Sequence, residues 1–147
     1  MLAYFFKDPL VKWTLTGKDL STLLEGIYSK VNTFDPKTPK KMADDVYLHF
    51  SKGIKITYDR SPAAKNGSRL KQVLIGGKPL QADVKYTVGM TEWIVLGKED
   101  LYMAVDKTKY KAFSNVVEAM TNYFLKHKKV TVAYEGRQVD SGKYPKQ

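Results

Sequence analysis

The chain has 147 residues, enough for one domain that buries about two-thirds of its unfolded surface without covalent staples. Hydrophobic residues make up 43% and aromatics 12%, which excludes a disordered chain, and zero cysteines exclude a disulfide framework, zinc fingers and thiol catalysis. Twenty-five Lys and Arg against 15 Asp and Glu give +10, which favours anionic partners: nucleotides, phosphates, nucleic acid, heparin-like polymers or acidic membranes.

The opening stretch, MLAYFFKD, is too short in apolar residues for the hydrophobic region of a signal peptide, and no later segment approaches a membrane span. Residues 11–15 (VKWTL) alternate and predict a strand. Thr16 reads as the N-cap of a helix over 17–31, with Asp19 in a capping-box position. Its apolar stripe is Leu20, Leu23, Leu24, Ile27 and Val31. Residues 34–45, with two prolines and several charge switches, predict a surface loop. GIKITYD (53–59) is a strand with Ile54, Ile56 and Tyr58 on one side, and LKQVLI (70–75) returns from a turn-rich connector to end at Gly76 and Gly77.

KYTVGMT (85–91) is a further strand, and a turn at 97–100 leads to an extended segment carrying Leu101, Met103 and Val105. Ser114 is the expected N-cap of a second helix with the stripe Phe113, Val117, Met120 and Phe124. Residues 130–134 (VTVAY) predict a final strand, and the chain from Ser141 a frayed tail. This order implies an α+β fold: a single domain, a mixed β-sheet and two main helices. The domain is expected over 1–136, followed by a basic C-terminal tail over 137–147.

Chemistry is constrained first by what is missing. His49 and His127 have no companions at metal-ligand spacing, so the imidazoles of a dinuclear phosphoesterase centre are not supplied. His127 reads as a solvated helix-end residue and His49 as half-buried. There is no G-x-S-x-G, phosphate loop or dinucleotide fingerprint, and LIGGKPL reads as a Gly-Gly turn. Only three arginines are present (Arg60, Arg69, Arg137), which disfavours bidentate reading of DNA bases.

Trp93 follows the 85–91 strand and precedes the Gly-plus-acid loop 97–100. One reading is a core tryptophan and an ordinary turn. The other is a wall and floor for a planar, hydroxylated ligand. Phe6, ahead of the first strand, and Trp93 could stack on both faces of a base, each face contributing roughly 1–3 kcal/mol. Glu99 and Asp100 could accept hydrogen bonds from ribose hydroxyls.

Three strings, PLVKWTLTGKDLSTLLEGIY, GIKITYDRS…NGSRLKQVLIGGKPL and YTVGMTEWIVLGKEDLYM, together resemble the C-terminal domain of the 5'-nucleotidase family, which includes UDP-sugar hydrolases and secreted apyrases. The matches fall in order over roughly residues 3 to 136. The resemblance implies a domain that binds the nucleoside moiety, while a separate metallophosphatase domain carries two metals and cleaves the phosphate. It implies a base sandwiched between Phe6, in YFFKD, and Trp93, with Glu99, in GKED, holding the ribose. The family's P-F-G turn has become Phe5-Phe6-Lys7-Asp8, and its G-G-D-G loop Gly97-Lys98-Glu99-Asp100. The chain is expected to start after the family's N-G-G-G-I-R segment and to lack the catalytic domain. Lys7 and Lys98 flank the inferred pocket, either as phosphate-binding point charges or as solvated surface lysines.

Three functions follow. The first is non-catalytic binding of nucleotides or nucleosides, adenine type favoured, without cofactor or metal, in a secreted scavenger of extracellular ADP, ATP or adenosine such as in arthropod saliva. The second is a basic interaction module that has lost its pocket and binds a heparin-like polyanion, nucleic acid or a receptor through its lysine clusters. The third is a specificity fragment or subunit of a nucleotidase or apyrase.

Overall fold

The computed structural model describes residues 7–30, 49–61, 63–65, 67–96, 110–131 and 133–143. Its elements are β1 (Pro9–Thr16), α1 (Gly17–Lys30), β2 (Ile54–Tyr58), β3 (Leu70–Ile75), β4 (Lys78–Pro79), β5 (Lys85–Thr91), α2 (Glu92–Leu96), β6 (Tyr110–Asn115), α3 (Val116–His127) and β7 (Gln138–Asp140). The fold is α+β as expected, but the strands form two sheets rather than one. Each sheet belongs to its own compact unit, one of Met1–Thr16 with Lys85–Tyr134, the other of Gly17–Val84 with Glu135–Gln147. The predicted loop 34–45 and the segment with Leu101, Met103 and Val105 lie outside the described residues.

The first unit is an antiparallel sheet in the order β5-β1-β6. Alternation in β1 buries Val11, Trp13 and Leu15 to 2% exposure or less and leaves Lys12 and Thr14 exposed. The proline stands at the strand's first residue, where a missing N–H costs the ladder least. Pairing with β6 slips between Leu10, opposite Ser114, and Val11, opposite Ala112, so Phe113 is the extra residue of a bulge. That places Phe113 in the strand and 61% exposed, not on the helix stripe the sequence assigned it. No strand was expected over 110–115; β6 runs to Asn115, which pairs with Pro9, so the cap of α3 is Asn115 rather than Ser114. Its side-chain oxygen accepts from the Glu118 N–H at 2.9 Å, and the Ser114 hydroxyl donates to the Glu118 carboxylate at 3.0 Å.

The second unit is a four-stranded sheet in the order β4-β3-β2-β7, with β7 parallel to β2 and the other pairs antiparallel. Helix α1 packs on β3 and buries Leu20, Leu23, Leu24 and Ile27, the predicted stripe, together with Tyr28. Val31 lies outside the described residues. Ile56 and Tyr58 of β2 and Val73 of β3 complete this core. Gly76 and Gly77, at φ 57° and 79°, form the two-residue turn between β3 and β4, a conformation that strongly favours glycine at both positions. Residues 130, 131, 133 and 134, predicted as the last strand, are exposed and in no strand, since β-propensity alone does not make one. The last strand is β7 instead, inside the expected tail. Beyond it the Ser141 N–H donates to the Tyr58 carbonyl at 2.7 Å, so residues 138–142 are bound into the unit.

A single carboxylate joins α1 to the start of β3. Glu25 accepts from the Arg69 N–H at 2.9 Å, the Leu70 N–H at 2.7 Å and the Ser29 hydroxyl at 2.8 Å. Desolvation pushes its pKa up, but these hydrogen bonds outweigh that and hold it below the usual glutamate value. The buried Arg69 side chain donates to the Asp59 carbonyl at 3.2 Å, and Asp59 in turn accepts from the N–H and hydroxyl of buried Ser61. The side-chain and backbone bonds from Ser61 lower the Asp59 pKa. Gly142 closes this corner, since a Cβ there would meet the Asp59 carboxylate at 2.8 Å.

Glu25→Ala leaves two part-buried backbone donors without their acceptor, an expected loss of roughly 2 kcal/mol in chemical denaturation. Because the folded pKa of Glu25 is depressed, its contribution is present above the ordinary glutamate value and is lost as pH falls through the folded value. Wild type and Glu25→Gln should therefore converge in stability on acidification, measured as thermal midpoints at neutral and acidic pH.

Candidate functional site

The register of the first sheet determines which chain segments meet at its end. Leu10 pairs with Thr91 and Pro9 with Asn115, so the entry to β1, the exit from β5 and the start of α3 converge there. The Val116 N–H donates to the Asp8 carbonyl at 3.0 Å, tying the first turn of α3 to the chain just before β1. Lys7 is exposed, two residues before Pro9, and Trp93 is two residues beyond Thr91. These two predicted site residues are thus brought to one end of one sheet. Phe6, Lys98, Glu99 and Asp100 lie outside the described residues, although Phe6 directly precedes Lys7 in the chain.

Trp93 is not at a strand end but is the second residue of α2, a five-residue helix that starts as soon as β5 stops. Two residues apart on a helix means about 200° of rotation, so Val95 and Trp93 face different ways. Val95 is 4% exposed and anchors the turn, while Trp93 is half-buried. The fully buried tryptophan of the chain is Trp13. A partly open indole presents a flat, polarisable face together with an N–H donor, the equipment for stacking on a planar ring.

The neighbour of Trp93 has a partner that sequence reasoning missed. Glu92 accepts a hydrogen bond from the Tyr110 hydroxyl at 2.9 Å, linking the start of α2 to the first residue of β6, which pairs with Trp13. That bond, with desolvation and the carboxylate charge, raises the pKa of Tyr110. The only sequence signal was adjacency to Trp93, because the 18 residues separating Glu92 and Tyr110 hide the pairing.

Elsewhere the structure offers less. His49 is exposed rather than half-buried, and His127, exposed at the end of α3 as expected, sits 4.3 Å from the Tyr123 ring. Among the described residues no group of three or more His, Asp and Glu side chains could hold a metal ion. No helix among them is long and apolar enough to cross a membrane. The second unit carries an open groove of about 500 Å³ beside the first turn of α1, lined in part by Lys18, Ser21, Thr22 and Lys71. The N–H groups of Gly17 and Lys18 there already donate to the carbonyls of Val84 and Ala82, at 2.8 and 2.9 Å, and are not available to a ligand.

Residues 1–107 match the family model described as the 5'-nucleotidase C-terminal domain. A 5'-nucleotidase precursor from Thermus thermophilus superimposes with a TM-score of 0.72 at 22% identity, over 91% of this chain and 25% of that one. The sulfate thiohydrolase SoxB of the same organism gives 0.65 at 22% identity, over 93% and 23%. The NAD nucleotidase of Haemophilus influenzae gives 0.61 at 15% identity, over 95% and 24%. The chain therefore spans about a quarter of the length of these structures, and at such identities they share its fold. No curated protein sequence matches the chain.

If Glu92 holds the Tyr110 hydroxyl, the phenolate absorbance that distinguishes wild type from Tyr110→Phe should appear above the ordinary tyrosine range. In a Glu92→Gln background the same difference should move to lower pH, read by ultraviolet titration.

Proposed function

The chain belongs to the family of 5'-nucleotidase C-terminal domains, and from that premise we propose that it binds a nucleotide or nucleoside at the end of its first sheet without cleaving it. The observation that carries this reading is the half-buried Trp93, held out by a short helix at the sheet end where Lys7 enters. In this reading Trp93 stacks on one face of the base and Phe6 on the other. Glu99, with Asp100 beside it, accepts hydrogen bonds from the ribose hydroxyls. Lys7 and Lys98 act as point charges for phosphates, and the +10 chain steers anions towards the slot.

The fold alone does not select this ligand, since a sulfate thiohydrolase shares it; the aromatic and acidic residues supply the chemistry. The absence of cleavage is proposed because the family match is to the C-terminal domain and the two histidines bring no metal-ligand set. A secreted scavenger of extracellular ADP, ATP or adenosine, as in arthropod saliva, is the role that suits binding without turnover. A large purine gains most from two stacked rings, and adenine is the purine this reading favours.

Calorimetric titration with adenosine, AMP, ADP and ATP tests the reading. Saturable 1:1 binding is expected, weakened about 5- to 150-fold in Trp93→Ala, as the loss of one stacked face of roughly 1–3 kcal/mol requires. Lys7→Gln should weaken ATP more than adenosine, and Glu99→Gln should weaken all four ligands. Absence of heat with every ligand, or binding indifferent to Trp93, would refute the proposed slot.

A further inference from the structure

Helix α3 has no buried residue, although a helix in a domain ordinarily hides one apolar stripe. Its last turn and the residues just beyond it are exposed on all sides: Tyr123 is 52% exposed, Phe124 46%, Leu125 71% and Val130 44%. The helix ends in a formed cap, not by fraying. Lys128 adopts a positive φ of 47°, and its N–H donates to the Phe124 carbonyl at 2.9 Å. Lys126, Lys128 and Lys129 are exposed around this apolar tip. Between residues 110 and 131 the one acidic side chain is Glu118, and its carboxylate is engaged by Ser114 and Asn115 at the far end of the helix.

We propose that the tip of α3 docks on an anionic lipid bilayer, with Phe124, Leu125 and Val130 entering the headgroup boundary and the three lysines meeting lipid phosphates. Charge selects the partner. A second copy of this surface would bring lysine against lysine, whereas a negative membrane surface attracts each of them. Apolar character narrows it further: Leu125 and Val130 have neither a π-face for a base nor a charge for a sulfated polymer. They gain only by leaving water, which the acyl boundary permits. Tyr123 suits the same depth, with an apolar ring and a polar hydroxyl. No described helix is long and apolar enough to span, so α3 itself would lie at the surface. The inference is independent of nucleotide binding, since it uses no residue of the proposed slot.

Co-sedimentation of the whole chain with vesicles of phosphatidylcholine, alone or mixed with phosphatidylserine, tests this. Binding is expected to the mixed vesicles only, to weaken at high salt, and to fall about 30-fold in Lys126→Gln/Lys129→Gln, at about 1 kcal/mol per lysine. Phe124→Ser/Leu125→Ser should weaken it as well; these side chains are exposed, and circular dichroism should show the fold unchanged. No binding, equal binding to both vesicles, or binding untouched by either double variant would overturn the proposal. Loss with the lysine variant alone, with equal capture by heparin or single-stranded DNA, would overturn it in favour of a general polyanion surface.

Discussion

Strand β1 is hydrogen-bonded along both edges, to β5 on one side and β6 on the other, and this pairing is the constraint on which the candidate site depends. Because the side-chain period is two, a slip of one residue would turn Val11, Trp13 and Leu15 out of the core. The register is therefore set by burial, and burial is set by the alternation in VKWTL. Once it is set, the ends follow. Thr91 must stop beside Leu10, and Asn115 must stop beside Pro9. The segments carrying Lys7 and Trp93, 86 positions apart in the chain, are delivered to one place by backbone pairing and not by any attraction between them.

The second unit shows a different use of the strings that carry the family resemblance. The glutamate of LLEGIY, the Tyr-Asp pair of ITYD and the arginine of GSRL bond to one another's segments. They form a clasp in which Glu25 accepts from the chain entering β3, while Arg69 reaches the backbone at Asp59. Buried donors without acceptors cost more than most exposed contacts return, so such residues are held in place by backbone accounting. Tyr58, beneath them, stacks on Tyr28 at 4.2 Å, and the Tyr28 hydroxyl donates to Gln138 at 2.7 Å. Burial pushes the Tyr28 phenol up, so it stays protonated and remains a donor. A motif can thus be diagnostic of a family for reasons of folding.

The excess of lysine has at least two local meanings. Lys7 is exposed two residues before β1, at the sheet end to which the start of α2 also comes. At the tip of α3, lysines surround aliphatic and aromatic side chains that no described element covers. Net charge alone cannot separate these, because it sums over both places. The side chains around each lysine, and not the sum of charge, separate the two proposed roles.

Most elements were legible in the sequence because local periodicity and turn chemistry dictate them. The β1 alternation, the Leu20–Leu23–Leu24–Ile27 stripe, the 54–58 and 70–75 strands and the Gly76-Gly77 turn all appear where those patterns place them. What misled was β-propensity over 130–134, which did not become a strand, and an unforeseen strand β6 whose bulge takes in Phe113 and whose end puts the α3 cap at Asn115. Both depend on hydrogen bonds to distant segments, which one-dimensional periodicity does not contain. The sequence by itself determined β1, α1, β2, β3 and β5, the family and the type of residue available for a site. Only tertiary structure decided that there are two sheets, that Trp93 rides on a helix beside the Glu92–Tyr110 pair, and that α3 has an uncovered end. Those facts are set by strand register and burial, which arise when segments far apart in the chain compete for the same hydrogen bonds and the same dry surface.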